Sequence, residues 1–217
     1  HSCRQGDGQT VCDCVTEEAD DLLLDFLVLG AFGNSGEKEI GVLGSTADAS
    51  LRQCTTSLVV VKSTSFELES QKTYVFATDN SVASQAAFTV LYRRFIKPGD
   101  ILHVIMASKV VSESTALSGY EQKMAQLDLD KSSSVEILTV GATSVADTVN
   151  DYCKRVQADF LVMGISGFGK KRLGSVSEEL VKKARCTCIV VKDPREVQKK
   201  RAVLQRQKSS PEEKEQR

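Results

Sequence analysis

Hydrophobic positions in this chain follow two periods. Continuous, strand-sized apolar runs stand at residues 73–79 (TYVFATD), 101–107 (ILHVIMA), 135–140 (VEILTV), 159–164 (DFLVMG) and 187–192 (TCIVVK). Between them lie segments with helical spacing. Residues 81–96 carry Val82, Ala86, Val90 and Leu91 on one stripe, and residues 144–157 follow Thr143 or Ser144 as cap. A third helix is predicted over residues 175–184, and the polar stretch 112–131 reads as partly helical. Lys97-Pro98-Gly99-Asp100 stops the first helix, and Gly141 turns the chain before the second. Strands alternating with helices predict parallel β-α-β units in a doubly wound sheet. The continuous hydrophobicity of the strands predicts cover on both faces, with right-handed crossovers.

Part of this pattern occurs twice. Residues 25–30 read DFLVLG and residues 159–164 read DFLVMG. Each run leads into a glycine-rich loop, then Gly-Ser (Gly44 and Ser45; Gly174 and Ser175), a helix and an apolar strand ending in lysine (Lys62; Lys192). A helix near residues 11–24 precedes the first copy. The expected organisation is a truncated copy at 1–62, a linker at 63–72, a complete domain at 73–192 and a charged tail at 193–217. That tail holds Pro194 and Pro211, and disorder is its default, with part of 196–208 open to helix. A three-element piece cannot cover both faces of a sheet. It must dock on the complete domain or on another chain, or belong to a longer protein, and a first residue of His rather than Met also reads as a fragment.

Composition narrows the function. Net charge is −1, which argues against a general nucleic-acid binder. No apolar run approaches the roughly 18 residues of a membrane span, and the polar start lacks a signal-peptide core. The seven cysteines include no Cys-x-x-Cys pair and no accompanying histidine cluster, so they read as structural, in a reducing, cytoplasmic setting.

In an open parallel sheet, ligands bind beyond the carboxyl ends of the strands. Two groups reach that edge. Asp79 ends the first strand and can hold a ribose hydroxyl, a base amine or a magnesium ion; its bland role is capping the helix that begins near Ser81. The loop 164–175 offers glycines, Lys170, Lys171, Arg172 and a helix start, which suit a phosphate; the alternative is an ordinary glycine-rich turn capped by Ser175. His103 alternates within an apolar strand and reads as core. No Ser-His-Asp set or Walker A motif is present. A phosphatase with Asp79 as nucleophile would want a second aspartate where Ser81 stands, so that reading is weak.

Residues 73–192 resemble the universal stress protein family. The resemblance rests on Asp79, the LHVI run at 102–105, the ADFLVMG run at 158–164 and GSVSEELVKKA at 174–184. It implies an adenine nucleotide alpha hydrolase-like fold, a five-stranded parallel sheet of order 3-2-1-4-5. It further implies a stress-response regulator binding ATP or AMP, with slow hydrolysis at most. Ala77, Asp79 and Val104 would line the adenosine end. Met163, Gly164 and Gly167 would form the loop floor, and Gly174, Ser175, Val176 and Ser177 would meet the phosphates. The loop from Gly167 to Gly174 is shorter than the family pattern, which favours AMP, or no nucleotide, over ATP. Family dimers pair their last strands. Ser57–Val61 is therefore expected to pair antiparallel with 187–191 as an intrachain pseudo-dimer, the alternative being a homodimer through the same strands.

Overall fold

The computed structural model describes residues 10–33, 41–62, 70–109, 114–166 and 174–208. Helix α1 (Val11–Asp21) leads to β1 (Phe26–Gly30), α2 (Ser45–Gln53) and β2 (Ser57–Val61). Then come β3 (Thr73–Ala77), α3 (Val82–Arg94) and β4 (Ile101–Ser108). A 3₁₀ turn (Ser114–Leu117), α4 (Ser118–Met124), β5 (Ser134–Thr139) and α5 (Val145–Arg155) follow, then β6 (Phe160–Ile165), α6 (Ser175–Lys183), β7 (Thr187–Lys192) and α7 (Pro194–Lys208).

All seven strands join one sheet, ordered β1-β2-β7-β6-β3-β4-β5. From β3 to β7 every pairing is parallel, and counted within that stretch the order is 3-2-1-4-5. β1 and β2 are also parallel; among the described residues the one antiparallel pairing is β2 with β7. Helices α2, α5 and α6 cover one face, packing Leu51, Val149 and Val181 on Val60, Leu161 and Val190. Helices α3 and α4 cover the other, where Phe88, Leu91 and Tyr120 enclose Phe76, Val104 and Val162.

The β2–β7 seam has an approximate twofold axis. Leu58 faces Val190, Val59 faces Ile189 and Val60 faces Cys188. Counting back from the terminal lysines, Val59 and Ile189 hold the same place in their units, so the axis passes between them. Such an isologous contact uses each group twice. Accordingly Asp48 and Arg52 on α2 recur as Glu178 and Lys182 on α6. Arg52 pairs with Asp48 at 3.0 Å and with Glu178, while Lys182 pairs with Glu178 at 2.7 Å and reaches Asp48 at 3.7 Å. The two lysines that end the strands cross the seam. Lys62 Nζ donates to the Lys182 carbonyl at 2.9 Å and Lys192 Nζ to the Leu51 carbonyl at 2.5 Å, each neutralising the end of the other unit's helix.

The correspondence reaches further upstream than the strand runs alone suggest. Thr10 caps α1 and forms a reciprocal box with Asp13; Ser144 caps α5 and bonds Asp147. Thus α1-β1-α2-β2 repeats the element order of α5-β6-α6-β7. The helix left open over part of 196–208 spans Pro194–Lys208. Asp193 takes the Arg195 N–H at 2.9 Å, Pro194 opens the first turn, and Arg201 Nη2 donates to the Leu24 carbonyl at 3.1 Å, which ties α7 to the amino-terminal unit. Residues 209–217 lie outside the described residues.

Candidate functional site

The strand order reverses between β3 and β6, and the carboxyl ends of these two strands define the candidate crevice. β3 ends at Ala77, and the next residues form a tight polar turn. The buried Thr78 hydroxyl lies 3.0 Å from the Ser84 Oγ and 2.8 Å from the Tyr120 hydroxyl, and accepts the Asn80 N–H at 2.9 Å. Asn80 adopts positive φ (59°), which the short amide tolerates. Ser81, not Asp79, is the helix cap: its Oγ accepts the Ser84 N–H. Asp79 is exposed and accepts the Ser81 N–H at 3.0 Å. Burial works to raise its carboxyl, but hydrogen bonds from Ser81 and Ser84 together outweigh that. Its pKa therefore lies below the ordinary carboxylate value, and the group is anionic at neutral pH.

Gly164 fixes how close this turn comes to the β6 loop. A Cβ there would overlap the Ala83 carbonyl and sit 2.7 Å from the Ser84 Cα. The first turn of α3 therefore rests directly on β6, and glycine at 164 is a packing requirement of the fold. Met163 is buried on the opposite face, against α5 and α6. Val104 is buried four residues before the end of β4 and has no exposed surface of its own.

Gly174 is different. A Cβ there would meet only Ser177 Oγ, at 3.9 Å, and its backbone is in an ordinary extended region (φ −59°, ψ 134°). Nothing among the described residues requires glycine at 174. Helix α6 begins there with no side-chain cap among the described residues, and Gly174, Ser175 and Val176 are exposed, with Ser177 half-buried behind them. An uncapped helix start presents several N–H donors and the positive end of the helix dipole, which suits an anion. Helix α2 also starts at a glycine without a side-chain cap, but a Cβ on Gly44 would crowd the Ala31 carbonyl at 3.3 Å. Gly167 and the basic stretch 170–172 lie outside the described residues.

His103 is in the core, as expected. Its Nδ1 is 2.8 Å from Ser134 Oγ, and burial pushes the imidazole toward neutrality. Sequence reasoning missed the polar cluster this histidine joins. Glu136 accepts from Ser134 at 2.6 Å and from Tyr152 at 2.7 Å, toward the opposite end of the strands from the crevice. Ser134 and Glu136 alternate onto one face of β5, which is the signal that could have found it. Among the described residues, no group of three or more His, Cys, Asp or Glu side chains is placed to hold a metal ion. No helix of the described residues is long and apolar enough to cross a membrane.

Fold and crevice together define a doubly wound α/β protein with an anion-receptive helix start beside an acidic turn. A model of the universal stress protein family matches residues 71–192, more than half the chain. The chain belongs to the universal stress protein family. Among solved structures it is similar to a universal stress protein from Archaeoglobus fulgidus DSM 4304, with 21% identity, 83% of this chain and 67% of that one covered, and a TM-score of 0.66. A functionally unknown protein from Pseudomonas aeruginosa PAO1 shares 12% identity over 91% of this chain and 73% of its own, with a TM-score of 0.67. A family protein from Arabidopsis thaliana, 20% identical over 55% of this chain and 91% of its own with a TM-score of 0.43, was solved with AMP bound; that ligand belongs to the Arabidopsis protein. No curated protein matches the sequence.

Proposed function

We propose that residues 73–192 hold an adenine nucleotide, AMP rather than ATP, across the ends of β3 and β6, and that the protein is a stress-response module switching between bound and empty states. The observation that carries this is the exposed, uncapped start of α6 at a glycine that nothing among the described residues requires. Phosphate would meet the N–H groups of Ser175, Val176 and Ser177, and Asp79 would take a ribose hydroxyl beside Ala77. Magnesium would enter with the phosphates and take Asp79 as its carboxylate, because no acidic cluster among the described residues can hold it alone. Affinity is expected in the micromolar range or weaker, roughly −8 kcal/mol or less favourable. Calorimetric titration with AMP tests the reading: Gly174→Val should abolish binding by placing a branched side chain where the phosphate approaches the backbone. Unchanged binding in that variant, or no binding by the wild type at millimolar nucleotide, would overturn it. Mass spectrometry of the denatured protein for copurified nucleotide gives an independent readout.

A second reading gains weight if nucleotide is absent: a protein that works through strand-to-strand association. The seam favours it, because the β2–β7 pairing and its charge quartet are complete without any ligand. On this reading residues 10–62 are a partial copy of the family domain that stands where a partner subunit would. The protein is expected to act in the cytoplasm on either reading.

A further inference from the structure

A cleft of about 210 Å³ opens where the amino ends of β1 and β2 meet the carboxyl end of β7 and the first two turns of α7, with Val90 and Arg94 of α3 on another side. It is separate from the nucleotide crevice: none of Ala77, Asp79, Ser175 and Ser177 lines it. Phe26, Val90, Val191 and Val197 give it an apolar wall. Its charged wall holds three cationic groups, Arg94, Lys192 and Arg201, against one carboxylate, Asp25.

Most of these charged groups are already engaged. Arg94 Nη1 stands 3.4 Å from Asp25 Oδ2, with both side chains exposed, and the buried Lys192 donates from Nζ to the Leu51 carbonyl at 2.5 Å. Arg201 is the exception. Its Nη2 donates to the Leu24 carbonyl at 3.1 Å, but its Nε is shut off from solvent and has no acceptor among the described residues. The acids nearby are committed elsewhere: Asp193 pairs with Arg195 at 2.8 Å, and Asp20 accepts the Thr55 N–H at 3.0 Å. A guanidinium donor buried without an acceptor is costly and rare, so it marks a place where an acceptor belongs.

The surroundings specify the chemistry of that acceptor. One guanidinium charge lacks a counter-charge among the described residues, which suits a head group with a single negative charge. The planar fork of a guanidinium matches the two oxygens of a carboxylate. The apolar wall calls for a hydrocarbon body, and since a cavity of roughly 150 Å³ admits benzene, this cleft has room for a single ring or a short branched chain. We propose that the cleft binds a small amphipathic monocarboxylate, with its head group accepting from Arg201 and its apolar body against Val90, Val191 and Val197. Arg94 supplies the second donor, because a long, exposed pair such as the one it makes with Asp25 contributes little and is readily exchanged. A ligand held this way touches α3 of the second unit, β1 of the first and α7 together. It therefore clamps α7 across the two units, whether or not the crevice at β3 and β6 holds a nucleotide.

The test is methyl NMR of the full chain, labelled at valine and titrated with benzoate. Benzoate should shift the Val90, Val191 and Val197 methyl signals along one saturable curve and leave Val176, at the start of α6, in place. Benzamide has the same shape without the charge and should bind roughly tenfold more weakly, the cost of losing a charge-assisted hydrogen bond. Inorganic phosphate at the same concentration should leave the three valines unshifted. Arg201→Gln should abolish saturation. Arg94→Gln, which leaves the bond between Arg201 and Leu24 intact, should weaken benzoate several-fold with the α7 amide signals unchanged. In saturating benzoate the α7 amides should exchange more slowly with solvent. The proposal is overturned if benzoate gives no saturable shift at these valines, if benzamide binds as well as benzoate, or if phosphate moves the same signals as strongly.

Discussion

Strands β1 and β6 read almost the same, FLVLG against FLVMG, yet one lies at an edge and the other inside the sheet. Val162 is 0% exposed beneath α3 and α4, whereas Val28, in the same place of the run, is 61% exposed. Gly164 bears directly on Ala83; Gly30 meets only the carbonyl of its own loop residue Phe32. Both units carry two helices on one face. The difference is three strands and two helices: β3, α3, β4, α4 and β5 complete the second unit, whereas the β1 edge of the first meets Phe95 edge-on at Phe26 and Arg94 at Asp25. Nearly identical local sequence therefore sets strand formation and leaves burial to be decided by neighbours far away in the chain.

The comparison can be broken most drastically by removing residues 1–62. That deletion bares the β7 edge, and the remaining domain is expected to self-associate in sedimentation experiments, because an apolar unpaired edge recruits another strand. A stable monomer at high concentration would show that the β2–β7 pairing does not serve to cover this edge. Next in size, Gly164→Ala is expected to destabilise by about 1–3 kcal/mol in urea unfolding, since α3 must lift from β6 to admit a methyl group. Gly30→Ala should stay within about 1 kcal/mol, because its methyl group would meet a single loop carbonyl at 3.3 Å, a close contact rather than the overlap found at Gly164. Equal effects would mean that the two glycines serve the same backbone purpose and the packing argument fails.

Hydrogen exchange sharpens the contrast without mutation. Amides of β1 should exchange faster than those of β6, through local opening of the less covered unit. The smallest effect is at the charge quartet. Arg52 and Glu178 are part-exposed, so a double-mutant cycle should give a coupling of about 0.2–1 kcal/mol. Its pH dependence has a definite sign. The Glu178 carboxyl is held low chiefly by Lys182, with Arg52 adding to it against burial. A depressed folded pKa contributes stability above the unfolded value, about pH 4.3, and that contribution is lost as pH falls through the folded value. Coupling that persists well below that range would remove the ion-pair explanation.

Much of this was legible from residues alone. The apolar runs and their spacing pointed to five parallel strands; the order 3-2-1-4-5 and the pairing of β2 with β7 came from the resemblance to the family, with the repeat showing which strands correspond. The counterpart of α5 was harder to see, although Thr10 with Asp13 and Ser144 with Asp147 carry the same capping spacing. Its signal lies in two residues, too few to stand out against a polar helix. Glycine at 164 read as a ligand position, because a contact with Ala83 depends on how α3 settles on the sheet, which no local window contains. Asp79 read as either ligand or cap; Ser81 takes the capping bond, and Asp79 accepts the Ser81 N–H. The helix α7 was only partly legible in a charged composition, and contacts such as Arg201 with Leu24 hold it to the amino-terminal unit.

The antiparallel pairing of β2 with β7 has a consequence beyond packing. Two separate subunits joined by such edges part on dilution. Here the two edges are tied through residues 63–72, and a short tether keeps them at an effective concentration roughly in the millimolar range. The seam therefore holds at any protein concentration. Each side of it can also change alone, since a substitution at Val60 leaves its counterpart Val190 untouched, whereas in a pair of identical subunits both sides would change together.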